Sequence, residues 1–414
     1  MSAAPCVLLL VPSMHGMGGT ERVVHELAAL LAESGGTVHQ VSFDPPGTVR
    51  HYESATPLHA LGPLPRLALP LRPVTYARAA RRLRALERAL GVDVTISNLW
   101  GADLVSAFAG ASGPGPARVA LAHINVRDNP DNRTMMRFLP LVAAIYRRFD
   151  HVVAVSAPLA GELEELYALA AGRITSIHNF VRIPDGGPPP WPQDDGVARV
   201  VWCGRMAPVK NVEGLLHAWA RYRAGAEPGR QLVLVGDGPA RADLERLAGL
   251  LGLRAGTDPS DTAASVVFVG SVAHSAPYLA AARGLVLSSH AEGAPMVVLE
   301  ALTLGVPVLA SDCPAGGVRA QLTDVPAASS GCIEDTGCGA LLPIPSANDA
   351  AALDAWARAF ALLFDGESPG ATAATWRRGA SARGARFGRA RASDLWNDLL
   401  RVVRDARPSS AEPR

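Results

Sequence analysis

The chain has 414 residues, of which 49% are hydrophobic and 19% charged, and its formal net charge is +1 at pH 7. This length exceeds one ordinary core, so we expect two domains. The low charged fraction and the net charge near zero argue against a disordered chain and against nucleic acid as a partner. The 5 cysteines are odd in number and include no Cys-x-x-Cys pair, which argues against a disulfide framework or a zinc site and indicates a reducing, cytoplasmic compartment.

Short apolar runs alternate with amphipathic segments in the first half, as is typical of a parallel sheet flanked by helices. The predicted strands, in chain order, are CVLLLVP, TVHQVSF, VDVTISN, RVALAHI and HVVAVS. The predicted helices lie near residues 20–33, 75–90 and 135–149. The first run, CVLLLVP, is too short for a membrane span, and we interpret it as a buried strand and not as a signal peptide.

A Pro/Gly-rich stretch, Arg182–Gly196, interrupts this pattern and predicts a linker over 184–196, after a first domain at 1–183. The alternation then resumes with the runs ARVVWCG, QLVLVG, SVVFVG, GLVLSS and VPVLAS. They predict a second doubly wound α/β domain over 197–371, followed by one or two helices over 372–402 and a flexible tail over 403–414. Ligands of such domains bind at the carboxyl ends of the strands, here in the cleft between them.

The stretch VWCGRMAPVKNVEG contains Lys210, the only lysine in a chain that otherwise uses arginine for its basic residues. Arg205 and Lys210 both follow the end of a predicted strand. An arginine fork and a compact ammonium together suit a diphosphate. The alternative is a surface turn with two solvated cations, but the uniqueness of the lysine favours the diphosphate.

The segment HAEGAPMVVLEALTLGVPVLASD places Glu292 in a loop and Glu300 on the helix that follows. Pro295 suits the first turn of that helix, whose free N–H groups would face an anion. Glu300 lies among apolar residues, where an unpaired carboxylate is costly, so it could accept hydrogen bonds from a ribose diol. Glu292 could reach sugar hydroxyls. The alternative is that neither glutamate has a function, since glutamate is common both in loops and on helices.

The loop PSMHGMGGTE joins the first strand to the first helix. Gly16-x-Gly18, with Asp44 after the second strand, partly matches a dinucleotide-binding fingerprint. However, Glu21 stands at the position of the third glycine, where its side chain would obstruct close helix–strand packing. We therefore expect this loop to face the phosphates from the other wall of a cleft.

Together these segments resemble the retaining glycosyltransferases of the GT-B fold, in glycosyltransferase family 4. The resemblance rests on the GMGGTE loop, GR followed by K, VLVGDGP, VVFVGSV, and EGAPMVVLEALTLGVPVLASD with its two glutamates. It implies two Rossmann-like domains facing across a cleft, the first binding the acceptor and the second the nucleotide sugar. It also implies that the helices of 372–402 cross back to the first domain.

The resemblance further implies a role for each matching residue. Arg205 and Lys210 would bind the diphosphate, Glu300 the ribose and Glu292 the donor sugar, with the nucleobase near 269–271. The other donor-binding residues would be Gly18, Gly19, Gly270, Gly293, Ala294, Pro295, Met296 and Val297.

Two further residues end predicted strands of the first domain. His123 would lie near the donor sugar, although a hydrogen-bonded strand-end histidine is an equal alternative. Asn179 matches a family asparagine before the linker, and the alternative of a turn-forming residue is the stronger one.

The predicted catalytic residues are therefore Arg205, Lys210, Glu292 and His123, with positive charge placed where the leaving group becomes negative. No Asp-x-Asp occurs in the chain, so we expect no metal and no other cofactor.

The resemblance suggests front-face retention. We expect a hexose or N-acetylhexosamine to pass from a nucleotide sugar, preferably a UDP-sugar, to a glycan or lipid-linked acceptor of bacterial surface polysaccharide. The segment SDCPAGGVRAQL resembles a subgroup acting on lipid-linked glycans, but arginine and glutamine stand where that subgroup has a glutamate.

The segment from Arg66 to Arg88 carries seven arginines and one glutamate and includes a predicted amphipathic helix. Such a surface could dock on the anionic inner face of the cell membrane, and residues 135–150 could contribute. An ordinary solvated helix is the alternative.

Four other functions stay open at this point. A nucleotide-sugar epimerase, or a synthase acting on a soluble small acceptor, would use the same fold. An NAD-type oxidoreductase is weakened by Glu21. A non-catalytic sugar-nucleotide-binding module is disfavoured by the presence of Arg205, Lys210, Glu292 and Glu300.

Overall fold

The structure is a computed structural model that describes residues 4–16, 18–48, 52, 54–64, 72–111, 114–127, 133–183, 187–325, 333–364 and 372–406. Its chain divides into two compact units. The first contains the described residues up to Val126, those of 133–180 and those from Arg389 onward, and the second contains Arg127 and the described residues from Val181 to Gly388. Residues 184–186 of the predicted linker, 66–71 of the predicted basic segment and 407–414 of the predicted tail lie outside the described residues.

The first unit is built on a sheet whose described strands all run parallel, in the order β3-β2-β1-β4-β5-β6-β7. The strands are β1 (Cys6–Val11), β2 (Thr37–Ser42), β3 (Leu58–Ala60), β4 (Val94–Asn98), β5 (Ala117–Ala122), β6 (His151–Ala154) and β7 (Ile174–Ser176). The helices are α1 (Gly19–Glu33), α2 (Arg72–Leu90), α3 (Trp100–Gly110), α4 (Arg133–Arg137), α5 (Leu139–Tyr146) and α6 (Ala157–Tyr167).

The second unit repeats this architecture with the strand order β10-β11-β9-β8-β12-β13-β15-β14, and of its described strands only β14 runs antiparallel to its neighbour. The strands are β8 (Ala198–Cys203), β9 (Arg230–Val235), β10 (Ala255–Gly256), β11 (Val266–Gly270), β12 (Gly284–Leu287), β13 (Val308–Ser311), β14 (Glu334–Asp335) and β15 (Gly339–Leu342). The helices are α7 (Val212–Arg223), α8 (Arg241–Leu250), α9 (Ala276–Ala280), α10 (Met296–Thr303), α11 (Gly317–Leu322), α12 (Ala350–Phe364) and α13 (Thr372–Gly384).

Unbroken apolar runs form the central strands because each sheet is covered by helices on both faces. Leu8, Leu9 and Leu10 of β1 are all 0% exposed, as are Val200 and Val201 of β8. An alternating pattern would leave one face of these strands polar. The predicted fold class, two doubly wound α/β domains, is confirmed.

The chain passes between the units at positions that differ from the predicted ones. Trp191, inside the predicted linker, is 5% exposed and lies in the core of the second unit, with the Arg199 guanidinium 5.0 Å from its ring centre. Helix α13 packs on α10 and α12 of the second unit. The return to the first unit is made by α14 (Arg389–Asp405) alone, which packs on α1 and joins it through an Arg389–Glu33 ion pair of 2.8 Å.

Helix α2 carries the described part of the predicted basic surface. Arg78, Arg81, Arg82 and Arg88 are exposed on it. Elsewhere in the first unit, Phe138 before α5 and Leu141 on α5 are exposed by 54% and 62%. No helix within the described ranges combines the length and apolar character that a membrane span needs.

A buried carboxyl group lies behind the carboxyl end of β4. Asp103, on α3, is 2% exposed and accepts hydrogen bonds from Ser97 Oγ at 2.6 Å and from the Tyr146 hydroxyl at 2.7 Å. Burial raises the pKa of Asp103 to about 7, and the two hydroxyl donors offset only part of that rise. The group therefore takes up its proton more readily in the folded chain than in the unfolded one.

This carboxyl should make the first unit less stable as pH rises. The unfolded pKa of aspartate is about 4, so the stabilising contribution of the neutral form is full below about pH 4 and is lost as pH rises through the folded value. A rise of about 3 pKa units corresponds to about 4 kcal/mol. We expect the wild-type unfolding temperature to fall between pH 5 and pH 8, and the fall to be smaller in Asp103→Asn. Thermal unfolding followed by circular dichroism measures this, and equal pH slopes for the two proteins would contradict it.

Candidate functional site in the second unit

The backbone around Lys210 is fixed by several hydrogen bonds. Lys210 ends a short 3-10 turn after β8, and Asn211 then adopts a left-handed conformation with φ of 50°. The Asn211 side chain accepts a hydrogen bond of 3.1 Å from Gly214 N and thereby caps α7. Ser288, which follows β12, donates to the backbone oxygens of Lys210 and Asn211 at 3.1 and 2.9 Å. These contacts set the position from which the lysine side chain extends.

The ammonium group of Lys210 is paired with Glu292. Its Nζ lies 2.7 Å from Glu292 Oε1, and the hydroxyl of Ser289 donates to the same oxygen at 2.6 Å. The lysine side chain is 28% exposed and that of the glutamate 8%. The position of the ammonium is thus fixed by Glu292, and that of the carboxylate by Lys210 and Ser289.

Arg205 supplies a second cation on the loop that follows β8. Its side chain is exposed, and it makes no ion pair or hydrogen bond with any residue in the described part of the chain. Because Lys210 is already engaged by Glu292, Arg205 is the more accessible of the two charges.

Helix α10 begins at Met296, with Pro295 at the N-cap and no side chain capping it. The sequence had placed Pro295 inside the first turn, so the helix starts one residue later. The N–H groups of the first turn, including those of Met296 and Val297, have no partners within the helix. They carry the positive end of the helix dipole.

Helix α11 supports the loop before α10. Gln321, which is 1% exposed, donates from Nε2 to the Pro295 carbonyl oxygen at 3.2 Å. Gly317 packs so closely that a Cβ at this position would overlap the carbonyl oxygen of Gly293 and lie 2.6 Å from that of Glu292. The loop of 292–295 is therefore held from behind by α11.

Glu300 is buried on α10 at 2% exposure and accepts a hydrogen bond from the hydroxyl of Ser275. Ser275 belongs to the loop after β11, so this contact joins α10 to the loop that begins at Gly270. Gly270 has φ of +88°, and the Arg241 guanidinium lies 3.2 Å from where its Cβ would be. The positive φ favours glycine there, and the neighbouring arginine leaves little room for a side chain.

In the first unit, Gly18 is the N-cap of α1, and Gly19 is its first residue. The carboxylate of Glu21 folds back over the loop, where a Cβ on Gly18 would overlap it and one on Gly16 would lie 2.9 Å away. The side chain of Glu21 thus fills the loop between β1 and α1. Asp44 accepts hydrogen bonds from Ser13 Oγ and Met14 N, both at 2.7 Å.

His123 follows β5 and is hydrogen-bonded to Asn98 at the end of β4. Asn98 donates from Nδ2 to the Leu10 carbonyl oxygen at 3.2 Å, so its Oδ1 accepts from His123 Nε2 at 2.9 Å. Burial lowers the pKa of His123 to about 4, which keeps the ring neutral at pH 7 with Nδ1 as an acceptor. Asn179, the other strand-end residue, is 7% exposed.

The second unit therefore pairs Lys210 with Glu292 just before the start of α10, with Arg205 on the loop that leads to Lys210 and Glu300 further along α10. Gly18, Gly19 and His123 lie at carboxyl ends of strands in the first unit. Sequence reasoning missed the residues that hold the site in place, which are Asn211, Ser275, Ser288, Ser289, Gly317 and Gln321. A usable signal was the pair Ser288-Ser289 directly after a buried strand. Among the described residues, no three His, Cys, Asp or Glu side chains form a group that could hold a metal ion.

Two family models match the chain. The model described as Glycosyltransferase Family 4 matches residues 17–183, and the model described as Glycosyl transferases group 1 matches residues 198–342. With its two predominantly parallel sheets flanked by helices, the chain is a GT-B glycosyltransferase. More narrowly, it belongs to the glycosyltransferases of family 4 type.

Solved structures support the fold over nearly the whole chain. Sucrose-phosphate synthase from Thermosynechococcus elongatus has a TM-score of 0.74 at 21% identity, covering 97% of this chain and 100% of that one. Anabaena HepE in complex with UDP and glucose has a TM-score of 0.67 at 17% identity, covering 96% and 99%. S. aureus TarM with alpha-GlcNAc-glycerol and UDP has a TM-score of 0.71 at 12% identity, again covering 96% and 99%.

One curated relative is an alpha-D-kanosaminyltransferase from Streptomyces kanamyceticus. It is 34% identical over 128 residues, a match that spans 30% of this chain and 30% of the relative. The chain thus matches less than a third of that protein's length.

Replacing Gly317 should disturb the loop that carries Glu292. In Gly317→Ala the added Cβ meets backbone atoms that have no room to move, so we expect the free energy of unfolding to fall by more than about 2 kcal/mol. Gly249→Ala is the control, because a Cβ there meets open space on helix α8. That change should stabilise by about 0.5–1 kcal/mol. Chemical denaturation measures both, and equal stability of the two variants would contradict the tight packing.

Proposed function

We propose that the protein is a retaining, metal-independent glycosyltransferase that moves a hexose or N-acetylhexosamine from a UDP-sugar to a glycan or lipid-linked acceptor. The observation that carries this proposal is the Lys210–Glu292 pair, set 2.7 Å apart directly before the uncapped start of α10. The choice of donor is supported by HepE and TarM, whose structures were solved in complex with UDP.

The second unit supplies positive charge for the leaving group. As the bond between sugar and diphosphate breaks, negative charge grows on the diphosphate oxygens. Lys210, Arg205 and the N–H groups at the start of α10 stabilise that charge without having to reorganise. The ammonium of Lys210 is a compact charge that can move with the negative charge as it develops. The planar guanidinium of Arg205 can donate two parallel hydrogen bonds to two diphosphate oxygens. In this proposal the two cations do the work that a divalent ion would otherwise do.

The carboxylates take the sugar portions of the donor. Glu300 is held by Ser275 near the loop of Gly270, so a ribose on Glu300 would extend its nucleobase towards residues 269–271. Glu292 uses Oε1 for Lys210 and Ser289, which leaves Oε2 for hydroxyls of the transferred sugar. We assign His123 to the same sugar as a neutral hydrogen-bonding group. Retention then follows from front-face attack, with a donor phosphate oxygen receiving the acceptor proton.

Removing either cation should slow the chemistry more than the binding. We expect Lys210→Ala to lower kcat by about 100- to 1,000-fold, because the lost charge acts mainly when the leaving group develops. Arg205→Ala should lower kcat less. Release of UDP or GDP from a panel of nucleotide sugars, with and without a lipid extract, measures the rate.

The control for this experiment is Arg221→Ala, which removes an exposed arginine of the second unit that pairs with Asp354. It should leave the rate unchanged. Excess chelator should also have no effect. A Lys210→Ala enzyme with the wild-type rate would contradict the mechanism, and loss of activity in chelator would contradict its metal independence.

We also propose that the enzyme works at the inner face of the cell membrane. The exposed arginines of α2 and the exposed Phe138 and Leu141 give the first unit both a basic and an apolar surface. Basic groups near an anionic surface contribute about 1 kcal/mol each, and screening by salt weakens them.

Vesicle binding tests this membrane assignment. The protein should sediment with vesicles of phosphatidylglycerol and phosphatidylcholine, bind less as salt is added, and bind poorly to phosphatidylcholine alone. Arg78→Glu combined with Arg81→Glu should weaken binding at least about tenfold, whereas Arg221→Glu in the second unit should not. Strong binding to neutral vesicles at high salt would contradict the proposal.

A transferase acting on a soluble small acceptor is the second candidate function. The structural likeness to a sucrose-phosphate synthase and the partial match to a kanosaminyltransferase favour it. The same nucleotide-release assay separates the candidates, because soluble sugars would replace the lipid extract as the stimulating acceptor. An epimerase would instead convert the nucleotide sugar with no acceptor and no release.

A further inference from the structure

Ser275 directs its hydroxyl at a distant carboxylate and not at its own helix. It stands at the N-cap of α9, a position where serine often bonds to the first free N–H groups, but it makes no such bond. Its backbone angles, φ −78° and ψ −22°, are helical and not the extended angles of a capping residue. The hydroxyl donates instead to Glu300 Oε2, on α10, which lies 25 positions further along the chain.

The residue that carries this hydroxyl is itself well anchored. The Ser275 carbonyl oxygen accepts a hydrogen bond of 3.0 Å from Leu279 N, and Leu279 is 0% exposed. Ala276, the first residue of α9, is also buried. The serine therefore approaches Glu300 from a helix that is packed into the core of the second unit.

The Glu300 carboxylate lies close to the carboxyl end of β8. Cys203, the last residue of β8, is buried, and this burial, together with the nearby charge of Glu300, raises the pKa of its thiol. Arg205 follows two residues later, whereas Ser275 belongs to the loop after β11. The carboxylate is therefore bordered by the strand that leads to the proposed diphosphate residues and by the loop proposed for the nucleobase. A ribose belongs at this point, since it joins the base to the diphosphate.

Glu300 needs a fixed orientation to bind a diol. Its side chain has three rotatable bonds, and its neighbours on α10, Leu299 and Ala301, are buried apolar residues that offer it no hydrogen bond from their side chains. The Ser275 hydroxyl supplies such a bond and restricts the rotation of the carboxylate. A carboxylate accepts up to about four hydrogen bonds, so two ribose hydroxyls can bind beside the serine.

We propose that Ser275 is a positioning residue that orients Glu300 for the ribose diol and so makes the second unit select ribonucleotide donors. The inference rests on the proposed function, which assigns the ribose to Glu300. Both ribose hydroxyls donate to the carboxylate in charge-assisted hydrogen bonds. A nucleotide without the diol leaves this buried carboxylate without those donors and therefore binds more weakly.

Isothermal titration calorimetry on the full chain tests this selectivity with UDP and 2′,3′-dideoxy-UDP, which lacks both hydroxyls. GDP and its dideoxy form are titrated in the same way. The readout is the ratio of the two Kd values within one protein, which does not depend on the folded fraction of a variant. The wild type should prefer the ribonucleotide at least about tenfold, as expected of hydrogen bonds to a charged group.

Variants show whether Ser275 sets this ratio through Glu300. Ser275→Ala should lower the ratio below about threefold, whereas Ser275→Thr, which keeps a hydroxyl, should retain it. Glu300→Ala should bring the ratio close to one, and adding Ser275→Ala to it should change nothing further. Ser265→Ala is the matched control, because its hydroxyl donates to the Arg254 carbonyl oxygen at 3.3 Å just before β11, at the other end of that strand. It should keep the wild-type ratio.

Three results would overturn the inference. In the first, Ser275→Ala keeps the wild-type ratio, including the case where it weakens both nucleotides by the same factor, which is the mark of a merely structural role. In the second, the wild-type ratio is close to one although a nucleotide binds, and the transferase function then stands if the enzyme still hydrolyses a nucleotide sugar. In the third, the wild type neither binds UDP or GDP nor hydrolyses their sugars, and the proposed function fails together with the inference.

Discussion

The ion pair between Lys210 and Glu292 is the contact on which the second unit's site depends. A carboxylate that is 8% exposed would be costly alone, and an ammonium on a flexible stem would be poorly placed alone. Together they fix each other at the carboxyl ends of β8 and β12. Ser288 and Ser289 complete the arrangement by holding the lysine backbone and the glutamate oxygen. The ammonium and the carboxylate that we propose for the diphosphate and the sugar are thus held by the same contacts.

The same arrangement explains why glycines and small polar residues surround the site. The loop of 292–295 has α11 directly behind it, so a side chain at Gly317 has no space. Gly270 must accommodate both a positive φ and the Arg241 guanidinium. Asn211 takes a left-handed conformation that asparagine tolerates better than most residues, and its side chain caps the next helix at the same time. At each of these positions the backbone conformation or the close packing is restricted, and this restriction keeps the site in one geometry.

Much of the fold could be predicted from the sequence because the central strands are long apolar runs. The strands β1, β2, β4, β5 and β6 and their counterparts in the second unit were all recognisable. The edge strands β3, β7, β10 and β14 were not, since two or three residues carry no clear periodicity, and neither was β15, which lies between β13 and β14. The linker was placed by its prolines, but Trp191 packs within the second unit, a tertiary contact that composition does not reveal.

The chemical groups of the site could be predicted, but not their mutual contacts. Glu300 stood out as a carboxylate among apolar residues, and its burial beside Ser275 accounts for that. The partner of Lys210 could not be predicted, because Glu292 lies more than eighty positions further along the chain and meets it only through the order of β8 and β12. Gln321 likewise acts through one carbonyl oxygen that sequence patterns do not mark.

The chain's single lysine offers the most direct test of the central claim, that Lys210 receives the diphosphate of the donor. Protein labelled with 15N only in lysine should show one side-chain ammonium signal. The account predicts that this signal shifts saturably as UDP is added and stays unchanged with uridine, which lacks the phosphates. A signal that UDP leaves in place while binding is independently detected would contradict the account.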